Sequence, residues 1–72
     1  MASREAQTIK LADLVDNAGN ALEHHGKDDE TYMNEALQLL LAIQGDPHLW
    51  ELAWTRVSNY FLKYQGRELS RP

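Results

Sequence analysis

The chain has 72 residues, no cysteine, and eleven acidic against seven basic side chains, for a formal net charge of −4. One domain of this length has a small core, and without disulfides it needs close packing or a partner, so self-association is expected. The negative charge disfavours nucleic acid as a partner. The longest apolar run, residues 39–43, is far below the roughly 20 residues that span a bilayer, and no export signal is seen. A cytoplasmic location without membrane contact is therefore expected.

The first predicted helix begins near Ser3 or Thr8, since either residue can cap a helix, and it runs to His25, where Gly26 ends it. Steps of 100° place one set of residues on an arc of roughly 120°. This set is Leu11, Leu14, Val15, Ala18, Ala21, Leu22 and His25. Gly19 and Asn20 each weaken the helix by about 1 kcal/mol or less, so packing is expected to hold it.

The second predicted helix covers residues 30–44, with Asp28 or Asp29 as its cap. Its apolar side chains extend over about 200° of the helical wheel. They are Tyr32, Met33, Ala36, Leu37, Leu39, Leu40, Leu41 and Ile43. One neighbouring helix cannot cover so wide a surface. The second helix is therefore predicted to be the central element, in contact with both other helices and with a second copy of the chain.

Residues 44–47, Gln-Gly-Asp-Pro, predict the end of the second helix and the start of the third. Gly45 tolerates the left-handed conformation that ends helices, Asp46 is a good N-cap, and Pro47 suits the first helical position. The third helix covers residues 47–65 and stops at Gly66. Residues 1–66 therefore form a single domain, and residues 67–72 are predicted to be a flexible polar tail.

One face of the third helix is an apolar stripe rich in aromatic residues. The stripe consists of Leu49, Trp50, Ala53, Trp54, Val57, Tyr60, Phe61 and Tyr64. Leu52 and Leu62 lie off it. Five large rings exceed what the small side chains of the first helix require, so the stripe is interpreted either as core alone or as core shared with an interface.

Short connections make consecutive helices antiparallel neighbours, which predicts an all-α, up-down-up three-helix bundle that self-associates. The alternative is a long hairpin of the second and third helices, with the first helix docked on a partner subunit. The sequence pattern does not separate these two arrangements.

No motif predicts catalysis, a cofactor or a metal site. There is no cysteine nucleophile and no glycine-rich phosphate loop. His24 and His25 stand beside Glu23 and Asp28, but adjacent helical residues point about 100° apart and cannot chelate one ion, and His48 follows the other connection. A histidine near the end of a helix complements its dipole instead.

The leading hypothesis is a non-enzymatic protein that binds another protein, with a homodimer through the second helix as its first form. The predicted interface residues are Tyr32, Leu39, Ile43, Trp50, Trp54 and Phe61. Size and composition suit an inhibitor, an adaptor or an accessory factor of the kind carried by phages or mobile elements, by analogy alone.

Two alternatives involve charge. A helix-turn-helix-like DNA-binding regulator would read DNA with Arg56, Asn59 and Lys63 of the third helix, although nucleic acid is disfavoured by the net charge. An acidic mimic of nucleic acid would instead occupy a basic groove on its target. Its acidic residues would be Asp13, Asp16, Glu23, Asp28, Asp29 and Glu30.

Overall fold

The computed structural model describes residues 3–25 and 29–71, excluding the side chains of His24 and His25. Within these residues the chain forms three α-helices and no strand. The helices are α1 (Arg4–Asn20), α2 (Glu30–Ala42) and α3 (Pro47–Gln65), and a π-helical turn, Ala21–His25, continues α1. The all-α three-helix bundle predicted from the sequence is confirmed.

The two candidate caps of α1 have different roles. Ser3 is the N-cap, and its hydroxyl accepts a hydrogen bond from the backbone N–H of Ala6 at 3.1 Å. Thr8 lies inside α1, where its hydroxyl accepts a hydrogen bond from the backbone N–H of Asp46 at 3.1 Å. Asp29 stands at the N-cap position of α2 without a side-chain cap bond. Gly26 and Asp28 lie outside the described residues.

The predicted boundaries of α3 are confirmed. The carboxylate of Asp46 accepts a hydrogen bond from the N–H of His48 at 2.9 Å, and Pro47 is the first helical residue. Gly66 ends the helix with φ +62°. Helix α2 ends at Ala42, two residues before the predicted boundary, because the backbone of Ile43 is extended.

The central helix is α3, so the prediction that the second helix is central is wrong. Helices α1 and α3 run parallel, as hydrogen bonds join Arg56 to Val15 and Tyr64 to Leu22. Helix α2 is antiparallel to α3, and α1 and α2 each pack mainly on α3. The hairpin alternative is also wrong, because α1 docks on its own chain.

The core contains one buried cluster built from all three helices. It consists of Leu11, Leu14, Val15, Ala18, Ala21, Met33, Ala36, Leu40, Ala53, Trp54, Val57, Tyr60 and Phe61. The rings of Tyr60 and Phe61 meet edge to face, with centroids 5.5 Å apart. The aromatic stripe of α3 is therefore mostly core.

Helix α2 is left incompletely covered, since its wide apolar arc faces α3 on one side only. Leu41 is 54% exposed on one flank of the helix, and Tyr32 is 38% exposed. On α3, Leu52 and Leu62 are also exposed, as their positions off the stripe predict.

Candidate functional site: a groove at one end of the bundle

An open groove lies where the start of α1, the end of α2 and the start of α3 meet. Its volume is about 790 Å³. Leu41, Ile43, Pro47 and Trp50 are among its apolar lining residues. We refer to it as the end groove.

The loop that forms one wall of the end groove is fastened to α1 by two hydrogen bonds. The backbone N–H of Gln44 donates to the side-chain carbonyl of Gln7 at 3.0 Å, and the N–H of Asp46 donates to the hydroxyl of Thr8. Gly45, between them, is buried with φ +61°. These contacts place the loop against α1.

A glycine is needed at position 45 because the loop lies close to α1 there, as well as because of the left-handed backbone angle. A β-carbon at this position would lie 3.0 Å from Cδ1 of Leu11 and 3.1 Å from the backbone nitrogen of Thr8. Both distances are tighter than ordinary van der Waals contact. The glycine predicted to end α2 therefore lies beyond the helix end and serves the docking of the loop on α1.

Trp50 forms a rigid part of the groove. Its indole N–H donates to the carbonyl oxygen of Leu40 at 2.9 Å, and its ring stacks on Trp54 with centroids 5.4 Å apart and planes within 6° of parallel. Trp54 is buried, whereas Trp50 is half-buried. The hydrogen bond and the stacking together fix one ring whose remaining surface faces the groove.

The polar rim carries charge of both signs. Arg4 and Glu51 line the groove, and the carboxylate of Glu51 forms an ion pair with the guanidinium of Arg71. The hydrogen bond from Arg71, followed by its charge, lowers the pKa of Glu51 below its ordinary value of 4.5. The rim therefore presents an ionised carboxylate beside apolar side chains.

A smaller groove of about 570 Å³ adjoins the end groove and shares Arg4 and Pro47 with it. It runs between the start of α1 and the loop before α3. Ile9, one of its lining residues, is 71% exposed. Together the two grooves extend from Leu41 at the end of α2 to the first turns of α1.

The six predicted interface residues do not form one surface. Ile43 and Trp50 are half-buried and line the end groove, and Leu39 is half-buried against the core. Tyr32 lies at the other end of α2, where its hydroxyl accepts a hydrogen bond from Asn17 at 3.1 Å. Trp54 and Phe61 were expected at the interface, but both are buried in the core and present no surface to a partner.

Sequence reasoning missed Leu41, Pro47 and Glu51 as site residues. Leu41 and Pro47 border the loop at residues 43–46, which the sequence marks as a helix junction. Glu51 follows Pro47 by one helical turn. Their proximity to the junction was the available signal, but the groove itself depends on how this loop docks on α1.

Two of the three candidate DNA-contact residues are engaged within the fold. Arg56 donates to the backbone carbonyl of Val15 at 2.8 Å, and Lys63 donates to that of Leu22 at 3.2 Å. Asn59 is exposed. Reading DNA with α3 would require both cations to leave the backbone carbonyls of Val15 and Leu22.

The residues of the acidic-mimic hypothesis are spread over two helices. Asp13, Asp16, Glu23 and Glu30 are exposed, and Asp29 is half-buried. Asp28 lies outside the described residues. Asp13 accepts a hydrogen bond from Asn17, which also contacts Tyr32 of α2.

His48 is exposed at the start of α3, and the side chains of His24 and His25 lie outside the described residues. In the part of the chain that is described, no three metal-ligating side chains are placed to hold one ion. None of the described helices combines the length and the apolar character that crossing a bilayer requires.

Comparison with known proteins identifies no relative. No protein-family model matches the chain. No curated protein and no solved structure matches it either.

Proposed function

We propose that this protein is a non-enzymatic binding protein and that another protein docks in its end groove. The observation that carries the proposal is the rigid ring of Trp50 beside Ile43 and the 54% exposed Leu41. A preformed concave surface that combines apolar side chains with polar groups is a common form of a binding site. An inhibitor, an adaptor or an accessory factor would act in this way.

The energetics favour a partner at this groove. Apolar surface gains about 25 cal/mol for each Å² removed from water, and aromatic side chains are frequent hot spots of interfaces. Trp50 is already held by Leu40 and Trp54, so little conformational entropy is lost when a partner covers it. The groove is therefore suited to receive an apolar side chain from a second protein.

The test is affinity capture from an extract of the native host with three forms of the tagged chain. Leu41→Asp places a charge at the groove, and Leu62→Asp is the matched control. Leu62 is 56% exposed and lies twelve residues after Trp50, which is about 18 Å along the helix axis. We expect Leu41→Asp to lose a captured protein that wild type and Leu62→Asp both retain.

Far-UV circular dichroism should show equal helix content in all three forms. Equal capture by both variants would remove the end groove as the binding surface.

The first partner to test is a second copy of the chain. Light scattering over a micromolar concentration range should give a dimer mass for wild type and Leu62→Asp, and a monomer mass for Leu41→Asp. A monomer mass for all three would exclude the homodimer and leave a different protein as the partner.

A further inference from the structure

Residues 67–71 turn back along α3 and end beside the end groove. The turn is made at Gly66, where the N–H groups of Gly66 and Arg67 donate to the carbonyls of Leu62 and Phe61, each at 3.2 Å. Leu69 then packs against the core, and Arg71 reaches Glu51 in the second turn of α3. The segment predicted to be a flexible tail thus follows a defined path in the structure.

Residues 67–71 form an ion pair with the acidic side chain of the end groove but do not cover its apolar side chains. Glu51 is the acidic side chain among the described lining residues, and these include no residue of 67–71. The side chains of Arg71 and Glu51 are 55% and 51% exposed. An ion pair this exposed is weak because water and salt screen it, so it can be exchanged for another.

The charge distribution favours a basic group at this rim. Two carboxylates, Glu5 and Asp46, line the adjoining smaller groove. Helix α2 also ends at the groove without a basic residue in its last turn, so the negative end of its dipole has no cation on α2 itself. Arg4 is the cation among the described lining residues.

We infer that a partner of the end groove places a basic side chain on Glu51 and displaces Arg71, so that residues 67–71 act as a releasable strap at the rim. The inference rests on the proposed function and specifies the chemistry of the partner. The strap supplies the basic part of that chemistry through Arg71, whereas its Leu69 packs against the core.

The test uses the full chain and a peptide copy of residues 69–71 of the strap, N-acetyl-Leu-Ser-Arg-amide. The peptide is titrated into ¹⁵N-labelled protein while the amide resonances of Ile43 and Glu51 are followed. Arg71→Ala frees the carboxylate, so we expect it to bind the peptide about two- to fivefold more tightly than wild type. Arg67→Ala, which removes the arginine that lies over Phe61, should bind as wild type does.

Two further controls identify the contact. Glu51→Gln combined with Arg71→Ala should bind the peptide about two- to fivefold more weakly than Arg71→Ala alone. A peptide with glutamine in place of arginine should lose about the same factor on Arg71→Ala. Three outcomes would each overturn the inference that a partner displaces Arg71. They are equal affinity of the peptide for wild type and Arg71→Ala, unchanged affinity when Glu51→Gln is added, and no binding to Arg71→Ala at millimolar peptide.

Failure of the strap is distinct from failure of the proposed function. If Leu41→Asp loses the captured protein while Arg71→Ala and Glu51→Gln capture as much as wild type, the groove binds its partner without the strap. If Leu41→Asp loses nothing, the groove itself is not the binding surface.

Discussion

A β-carbon on Gly19 would lie 2.7 Å from Nη1 of Arg56. Gly19 is therefore the position at which α1 makes room for a guanidinium from α3. That guanidinium donates to the carbonyl of Val15, one turn earlier on α1. The glycine that weakens α1 as an isolated helix thus permits a contact that joins α1 to the central helix.

This relationship predicts that Gly19→Ala depends on Arg56. Alanine gains about 1 kcal/mol of helix propensity over glycine, but here it displaces the Arg56 side chain and its hydrogen bond. We expect Gly19→Ala to be about 1 kcal/mol more favourable in an Arg56→Ala background than in wild type. Urea unfolding of the four chains measures the coupling, and the same effect in both backgrounds would refute it.

Gly45 and Gly66 form a natural pair for separating backbone strain from packing. Both are left-handed, with φ +61° and +62°, but a β-carbon at Gly66 meets no atom within 4 Å, unlike one at Gly45. Gly66→Ala should cost about 1–2 kcal/mol for the backbone alone. Gly45→Ala should cost at least about 1 kcal/mol more, because Leu11 and Thr8 must move. Urea unfolding tests the difference, and similar costs would show that the loop is not closely docked.

The two tryptophans should report different environments. Trp54 is 4% exposed, whereas Trp50 is half-buried at the end groove. The Trp50→Phe variant retains only the buried Trp54, and the Trp54→Phe variant retains only the half-buried Trp50. The fluorescence maximum of Trp50→Phe should therefore lie at shorter wavelength, and iodide should quench its emission less. Trp50→Phe also loses the hydrogen bond to Leu40, at about 1 kcal/mol of stability. Equal quenching of both variants would contradict the assignment of Trp54 to the core.

The ion pair of Glu51 and Arg71 predicts a pH dependence at the rim. Because Arg71 lowers the pKa of Glu51 from its ordinary 4.5, the stabilisation by this pair is complete above that value and is lost as the pH falls through the lowered pKa. Arg71→Ala should raise the pKa of Glu51 towards 4.5 in a carboxyl NMR titration. Arg67→Ala is the control and should leave it unchanged; a pKa of Glu51 that does not respond to Arg71→Ala would contradict the pairing.

Local chemistry predicted the parts of the fold that depend on neighbours in sequence. Asp46 and Pro47 begin α3 and Gly66 ends it, as capping preferences indicate, and the predicted apolar arc of the first helix is buried from Leu11 to Ala21. The arrangement of the helices was less accessible. The width of the apolar arc on α2 indicates how much surface needs covering but not which helix covers it, so α2 was placed at the centre instead of α3.

The candidate site was partly predictable for the same reason. Ile43 follows from the wide apolar arc of the second helix, and Trp50 from the aromatic stripe of the third. The groove around them depends on Gln7 and Thr8, which contact residues 37 and 38 positions away in the chain. Such pairings leave no periodic signal in a single sequence. Trp54 and Phe61 were assigned to the interface because ring size alone does not tell a core from a binding surface.

The central position of α3 has a consequence for how the protein is made. Helices α1 and α2 are synthesised before α3, yet each of them packs mainly on α3. Neither can bury its apolar side until α3 emerges, so the nascent chain exposes Leu11, Leu14 and Leu40 during translation. Productive folding of these three helices should therefore wait until α3 has emerged, and chaperones that hold nascent chains have their target in the first two helices.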